Sequence, residues 1–458
     1  TAWTFYGSVG QAAIGGIARS FYRTLGRCYP NHPRRDEDGS VWVMEPHVAE
    51  GIFKDWVGEA GVDVYFEQHL DRVVKSGGRI TAIVMEDGTT VKAPVFIDAS
   101  YEGDLLARAG VSYHVGRESN SVYRETLNGI FFGDLNHNFK TWIDPYVVPG
   151  KPDSGLLPNF QDSPLGIQGQ GDRSVQAYNF RICLTNVPEN RIPFPEPPGY
   201  KPEYFELLLR YILSGIWDAM RLHVPMPNGK TDLNNKGAVS TDFIGMNHDW
   251  PEGSYARREE IFQDHFNYNL GMLYFLSNDE RVPAEIRKEV SQWGLPKDEF
   301  VETGHWPHMI YVREARRMVA DVVMTEKHCR HLEKVDDPIG LAAYTMDSHN
   351  CRRLVVDGRA YNEGNVEVSP TGPYGISYRA IVPKGEECTN LLVPVCLSSS
   401  HIAYGSIRME PVFMVLGQSA GTAAALALEA GVPVQEVDYR ALSERLLADG
   451  QILVFGQG

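Results

Sequence analysis

CTNLLVPVCLSSSHIAYGSIRMEPVFMVLGQSAGTAAALALEAGVPV, residues 388 to 434, is the stretch that decides the fold. Leu391 to Val395 is an apolar run bounded by Asn390 and by serines, the pattern of a strand in a parallel sheet covered on both faces. A polar turn with Ser398, Ser399, Ser400 and His401 follows, and then a long helix from about Glu410. Pro411 stands at the helix start, where its missing N–H costs nothing. Gly417, Gly421 and Ala423 to Ala425 leave one helix face almost bare, which predicts a close neighbour there. A helix N-terminus directly after a parallel strand offers free N–H groups and a partial positive charge, a seat for an anionic ligand group.

The rest of the composition narrows the function class. The chain has 458 residues, enough for two or three domains, with 43% hydrophobic and 22% charged residues, as in an ordinary globular protein. Its 43 basic and 59 acidic residues give a net charge of −16, which disfavours nucleic acid and anionic membrane surfaces as partners. Pro411 to Leu428 carries no charge over 18 residues, but Gln418, Ser419, Thr422 and two glycines suit a buried helix better than a membrane span. No secretory signal is recognisable at the N-terminus. The six cysteines show no metal-type spacing and read as scattered buried thiols, with Cys329 and Cys351 able to pair in an exported protein. Compartment and oligomeric state stay open.

At the other end, Gly7, Gly10, Gly15 and Gly16 make a loop before an amphipathic helix with Ile17, Phe21 and Leu25 on one side. The spacing is not G-x-G-x-x-G and no apolar strand precedes it, so as a phosphate loop it is weak. A helix from His47 to Ala60 leads to a strand at Val62 to Phe66. Short strands at Asp71 to Lys75, Ile80 to Met85 and Thr90 to Lys92 follow, with Asp87-Gly88 as a hairpin turn. Val95 to Ser100 is a buried strand opening onto Tyr101-Glu102-Gly103-Asp104 and a helix. Alone, that run reads first as a strand-end turn with an acidic helix cap, Asp104 serving the first turn of the helix.

Residues 110 to 345 lose the strand–helix alternation. A loop-rich part with Asn234, Asn235, Asp242 and His248 is followed or flanked by helices at Phe205 to Trp217, Tyr255 to Ser277 and Pro283 to Trp293. In residues 304 to 329, Arg313, Arg316 and Arg317 recur with Glu314 at helical spacing, a helix with a salt-bridged surface face. His305 and His308 have no third ligand at matching spacing, so metal is rejected. Asp347-Ser348-His349 and Pro373-Tyr374-Gly375-Ile376-Ser377-Tyr378-Arg379 then lead back to the opening stretch.

Strand, serine turn and small-residue helix, with Asp-Ala-Ser-Tyr-Glu-Gly-Asp at 98 to 104 and Tyr-Val-Arg-Glu-Ala-Arg-Arg at 311 to 317, resemble FAD-dependent oxidoreductases with a glutathione-reductase-like Rossmann fold. The resemblance covers residues 1 to about 450 and lacks the dinucleotide fingerprint, so the expected α/β fold has its first βαβ unit missing. It implies a flavin domain in two segments, 1–126 and 346–458, around an inserted mixed α+β substrate domain, 127–345. It implies FAD held by Asp98, Ala99, Ser100, Gly103, Asp104, Ser398, Ser399, Glu410 and Gly417. FAD is expected to bind weakly or not at all without the fingerprint. The expected reaction is hydride transfer from a small organic molecule, such as a sugar or ring compound, to the flavin. His401 is expected as the base, His349 as a second proton carrier, Tyr378 as a donor and Arg379 as an anion or carbonyl clamp, converging on one cavity. A carbohydrate-processing lyase or hydrolase using His349, Tyr378 and paired acids, or a cofactor-free binding protein, is the alternative.

Overall fold

The computed structural model describes residues 8–220, 222 and 225–456; Gly7 of the glycine loop lies outside them. Three apolar cores organise the chain. The first joins both ends: Phe21, Tyr22 and Leu25 of the helix Gly16–Cys28 meet Ile339, Ile376, Ile402, Leu416 and Leu446. The second is built inside the middle of the chain, from Val115, Phe180, Phe205, Phe243, Leu273 and Trp306. A small third core holds Ile80, Phe96, Leu106, Met318 and Leu391.

The opening stretch forms less sheet than its apolar run predicts. Leu391–Leu392 pairs in parallel with Phe96–Ile97, Leu391 opposite Phe96, and the ladder stops there. Pro394 has no N–H to extend it. Among the described residues this pair has no third strand. Val62 to Phe66, expected as a strand, finds no ladder partner and lies exposed. The antiparallel meander is present: Leu70–Ser76, Arg79–Met85 and Thr90–Val91, in that order.

The serine turn contains a helix that the sequence reading passes over. His401–Ile407 is wholly buried, and Ser400 caps it by accepting from the Ala403 N–H at 3.3 Å. Gly405 permits this packing, because a Cβ there would lie 2.6 Å from the Asp347 carbonyl oxygen. The long helix Glu410–Ala430 follows. It is long and apolar enough to cross a membrane, yet half of its apolar stretch is buried against the first core. The close approach expected at Gly417 and Gly421 is absent, since a Cβ at either would meet nothing within 4 Å. The contact is made instead where Val415 seats on Gly340 and where the Ile17 N–H donates to Gln418 Oε1 at 2.8 Å.

In the middle of the chain, the helices Glu206–Leu213, Tyr255–Asn278 and Ala284–Val290 stand close to where periodicity puts them. The arginine stretch does not. Tyr311 donates its N–H to the Asn179 carbonyl at 2.8 Å, and Arg316–Met318 pairs antiparallel with Tyr113–Val115. Ile310, Tyr311 and Val312 favour extended backbone. The arginines are buried because each finds a carboxylate far away in sequence: Arg313 with Asp242, Arg316 with Asp104 and Arg317 with Glu118.

Candidate active site

The strand Met346–Ser348 begins in the first core with Met346, and alternate side chains of an extended segment share a face. Asp347 and His349 therefore lie on one side, and Ser348 on the other. Two buried polar networks grow from these two sides.

On the first side, His349 Nδ1 lies 2.7 Å from Asp242 Oδ2, and its Nε2 lies 3.6 Å from Asp347 Oδ2. An ionised carboxylate only accepts, so Nδ1 carries the proton and Asp242 fixes the ring. Arg313 Nη2 holds the other Asp242 oxygen at 2.9 Å. Burial pushes the Asp242 carboxyl up, but Arg313 and His349 outweigh it and keep it below the usual carboxylate range. Asp347 is likewise held well below that range, against its burial, by His349 and Arg408. The Tyr344 hydroxyl donates to Asp347 Oδ2 at 3.1 Å, and Arg408 Nη2 lies 3.5 Å from the same oxygen. The ring of Tyr311 carries a guanidinium at 5.1 Å from Arg313 and another at 5.3 Å from Arg181, which is itself paired with Asp232. The Tyr311 hydroxyl is shielded from solvent without a partner, as is Arg408 Nε. Burial and the nearby Glu410 charge push that phenol up.

On the second side, His401 is sealed in. Its ring is 2% exposed, Nδ1 lies 2.7 Å from Glu314 Oε2 and Nε2 lies 3.0 Å from Ser348 Oγ. Arg317 bridges Glu314 at 2.5 Å and Glu118 at 2.8 Å. Burial raises the Glu118 carboxyl, but the Arg317 guanidinium and His114 bring it down to about 2. Gln176 joins the two sides, donating to Glu314 at 2.7 Å and accepting from the His349 N–H at 3.2 Å.

Tyr378 and Arg379 do not join this cluster, contrary to the expected convergence. The Tyr378 hydroxyl donates to the Val434 carbonyl at 2.6 Å, and Arg379 Nε pairs with Asp337 at 3.0 Å while its side chain remains 59% exposed. The Asp98–Asp104 run is spent on the protein itself. Asp98 accepts from the Ser100 N–H at 3.1 Å, from its hydroxyl at 2.6 Å and from the Leu106 N–H at 2.9 Å, and burial pushes its carboxyl up. Gly103 turns the chain at φ +70° and donates to Ser100 Oγ at 3.0 Å, while Ala99 is exposed. Asp104 binds Arg258 at 2.6 Å and Arg316 at 2.8 Å. Ser398 Oγ accepts from the Ala320 N–H at 3.0 Å, and the Ser399 carbonyl accepts from Arg317 Nε at 3.1 Å. Gly417 faces open space.

For the expected cofactor, the two ends fare differently. At the ring end, the helix Glu410–Ala430 begins after Met409, which gives no side-chain cap, next to Arg408 Nε and the Tyr311 hydroxyl. Pro411 has no N–H and the Val412 and Phe413 N–H groups donate to the Met409 carbonyl at 2.9 and 3.0 Å, so the Glu410 N–H and the partial positive charge of the helix start are what fit the polar edge of a flavin. At the diphosphate end, the residues expected to serve do not fit. Besides Asp98 and Asp104, the Gly16 N–H is taken by the Gly450 carbonyl at 2.7 Å.

Asp242 and Asn234 stand in a loop-rich part where polar residues are usually solvated, and Arg181, Asp232 and Arg408 carry no local pattern. The i, i+2 spacing of Asp347 and His349, and the run 311–317 that holds Tyr311 and Arg313, are the signals that point to the cluster. A family model described as FAD dependent oxidoreductase matches residues 2–446. No curated protein and no solved structure matches the chain.

Proposed function

Because the chain belongs to the FAD-dependent oxidoreductase family, we propose that it oxidises a small organic molecule by hydride transfer, with His349 taking the proton that leaves the substrate oxygen or nitrogen. Bound FAD supplies the hydride acceptor. The observation that carries the assignment is the file Arg313–Asp242–His349: a buried carboxylate, fixed from behind, orients the imidazole through Nδ1. The Nε2 atom is left facing Asp347 at 3.6 Å, too long for a good hydrogen bond. A general base needs this combination of a fixed ring and a nitrogen not fully engaged. His401 has neither nitrogen to spare, so its proposed role is to position Ser348 and the strand that carries His349. Tyr378 and Arg379 take no part. The Glu410 N–H and the partial positive charge of that helix start would face the flavin ring. The second core supports reading residues 127–345 as a cap over this cluster, with 1–126 and 346–458 forming the flavin domain.

The test uses FAD-loaded protein mixed anaerobically with sugars, polyols, hydroxy acids and amines, following loss of the visible flavin band. With the compound that reduces wild type, His349→Asn should slow reduction by roughly 10²–10⁴-fold while flavin stays bound. Reduction at the wild-type rate would remove His349 from the chemistry.

A further inference from the structure

We propose that the ligand recognised beside His349 is a neutral polyol, a compound with several adjacent hydroxyl groups and no net charge; this rests on the assignment of His349 above. Two observations point to it. The first is charge. Arg181, Arg313 and Arg408 are each within ion-pair distance of their own aspartate, Asp232, Asp242 and Asp347, and Glu410 adds a fourth carboxylate. Three guanidinium groups against four carboxylates leave no positive surplus for an anion, and a proton on His349 would bring the group only to neutrality. A further carboxylate would meet like charges at short range in a buried setting, where repulsion is poorly screened. An ammonium group would find each of the three aspartates already within ion-pair distance of a guanidinium.

The second observation is the unpaired hydrogen-bonding capacity. Arg313 Nε and Arg408 Nε are buried donors without partners. Asn179 Oδ1 and Asn350 Oδ1 are buried acceptors without partners, and the Tyr311 hydroxyl can do both. These atoms belong to one connected cluster. Asn179 is bridged to Tyr311 through the backbone, Asn350 donates to the carbonyl of His137, whose ring lies close enough to act on Asp242, and Tyr311 packs on Arg313. Buried polar groups are costly unless paired. Donors and acceptors mixed in near-equal number call for groups that both donate and accept, which is what a hydroxyl does. A carboxylate would answer only the donors, and an ammonium only the acceptors.

Four probes of similar size test this with the FAD-loaded chain: sorbitol, D-glucose, D-gluconate and D-glucosamine. Binding is read by calorimetry, and flavin reduction separately under anaerobic conditions. Sorbitol or glucose should bind, and gluconate and glucosamine should bind at least about tenfold more weakly. Tyr311→Phe, which deletes only the unpaired hydroxyl, should weaken binding of the neutral probe about three- to tenfold, the loss of one hydrogen bond, and leave Tm unchanged. Equal or tighter binding of a charged probe, no binding of either neutral one, or no effect of Tyr311→Phe would overturn the inference. If a charged or amine compound reduces the flavin while the polyols do not bind, the ligand class fails and the His349 assignment survives. If the polyols bind as described but leave the flavin oxidised, the class stands and the oxidation assignment falls.

Discussion

His349 and His401 lie on opposite sides of one strand, and the geometry around each ring sets what its loss would do. His401 is held by Glu314 at 2.7 Å and by Ser348 at 3.0 Å, inside a network that also spans Arg317 and Glu118. Replacing it with Asn would leave the Glu314 carboxylate short of one donor, at a cost of about 1–3 kcal/mol. A lower denaturant midpoint is the expected result, with flavin reduction slowed far less than by His349→Asn. If His401→Asn kept full stability and lost rate as His349→Asn does, the two roles would be exchanged. Sequence spacing alone favours His401, on the turn before the flavin-facing helix. It cannot report that Glu314, 87 positions earlier, closes the ring in. Conversely, Asp242 reaches His349 across 107 positions from a loop that carries no periodic signal.

At the level of elements, the glycines separate two kinds of packing. Gly421 is exposed in the middle of the helix Glu410–Ala430, and an added Cβ meets nothing. Gly421→Ala should stabilise this chain by up to about 1 kcal/mol through helix propensity. Gly405→Ala should destabilise by about 1–3 kcal/mol, because its Cβ would press on the backbone of Asp347 at 2.6 Å. Thermal melts of the two variants check both signs, and a melting point raised by Gly405→Ala would refute the close contact. The same helix carries a prediction about the cofactor. Its uncapped start fits a flavin ring, whereas the residues expected at the diphosphate are bonded elsewhere, so FMN should bind within about tenfold of FAD. An FAD preference of several hundredfold would reveal a diphosphate contact beyond these residues. Elements with their own caps and apolar stripes, such as Tyr255–Asn278 with Ser254 accepting from Arg257, are legible in sequence. The segment from 310 to 318 is not, because Arg313, Arg316 and Arg317 sit at helical spacing while their partners are tertiary. The serine turn hides a seven-residue helix for a related reason: it is too short to show a stripe and is buried on every side.

For the whole molecule, the buried acids set the response to pH. Glu118 ionises at about 2 in the folded protein, below its unfolded value, so its contribution is complete above about pH 4.5 and is lost as pH falls toward 2. That one group accounts for on the order of 3 kcal/mol, and Asp242, Asp347 and Glu314 act in the same direction. Asp98 and Glu125 are pushed up and act oppositely, losing stability as pH rises through their raised values. Melting temperature should fall steadily from pH 5 to pH 2, and a flat profile would show that the paired acids dominate less than their geometry requires.

Salt should expose a different property of the same surface. Val62, Val64, Tyr65 and Phe66 are 59%, 50%, 72% and 76% exposed on one unpaired segment, a sticky strip on a particle with a net charge of −16. At low ionic strength, particles repel one another over tens of ångströms; at 1 M salt the screening length is about 3 Å and the strip is no longer held apart from its neighbours. Dilute, low-salt solutions should therefore keep this protein dispersed, while concentrated salt should drive it onto hydrophobic chromatography resins and then into precipitates. Tyr65→Lys with Phe66→Glu, neutral in net charge, should delay both.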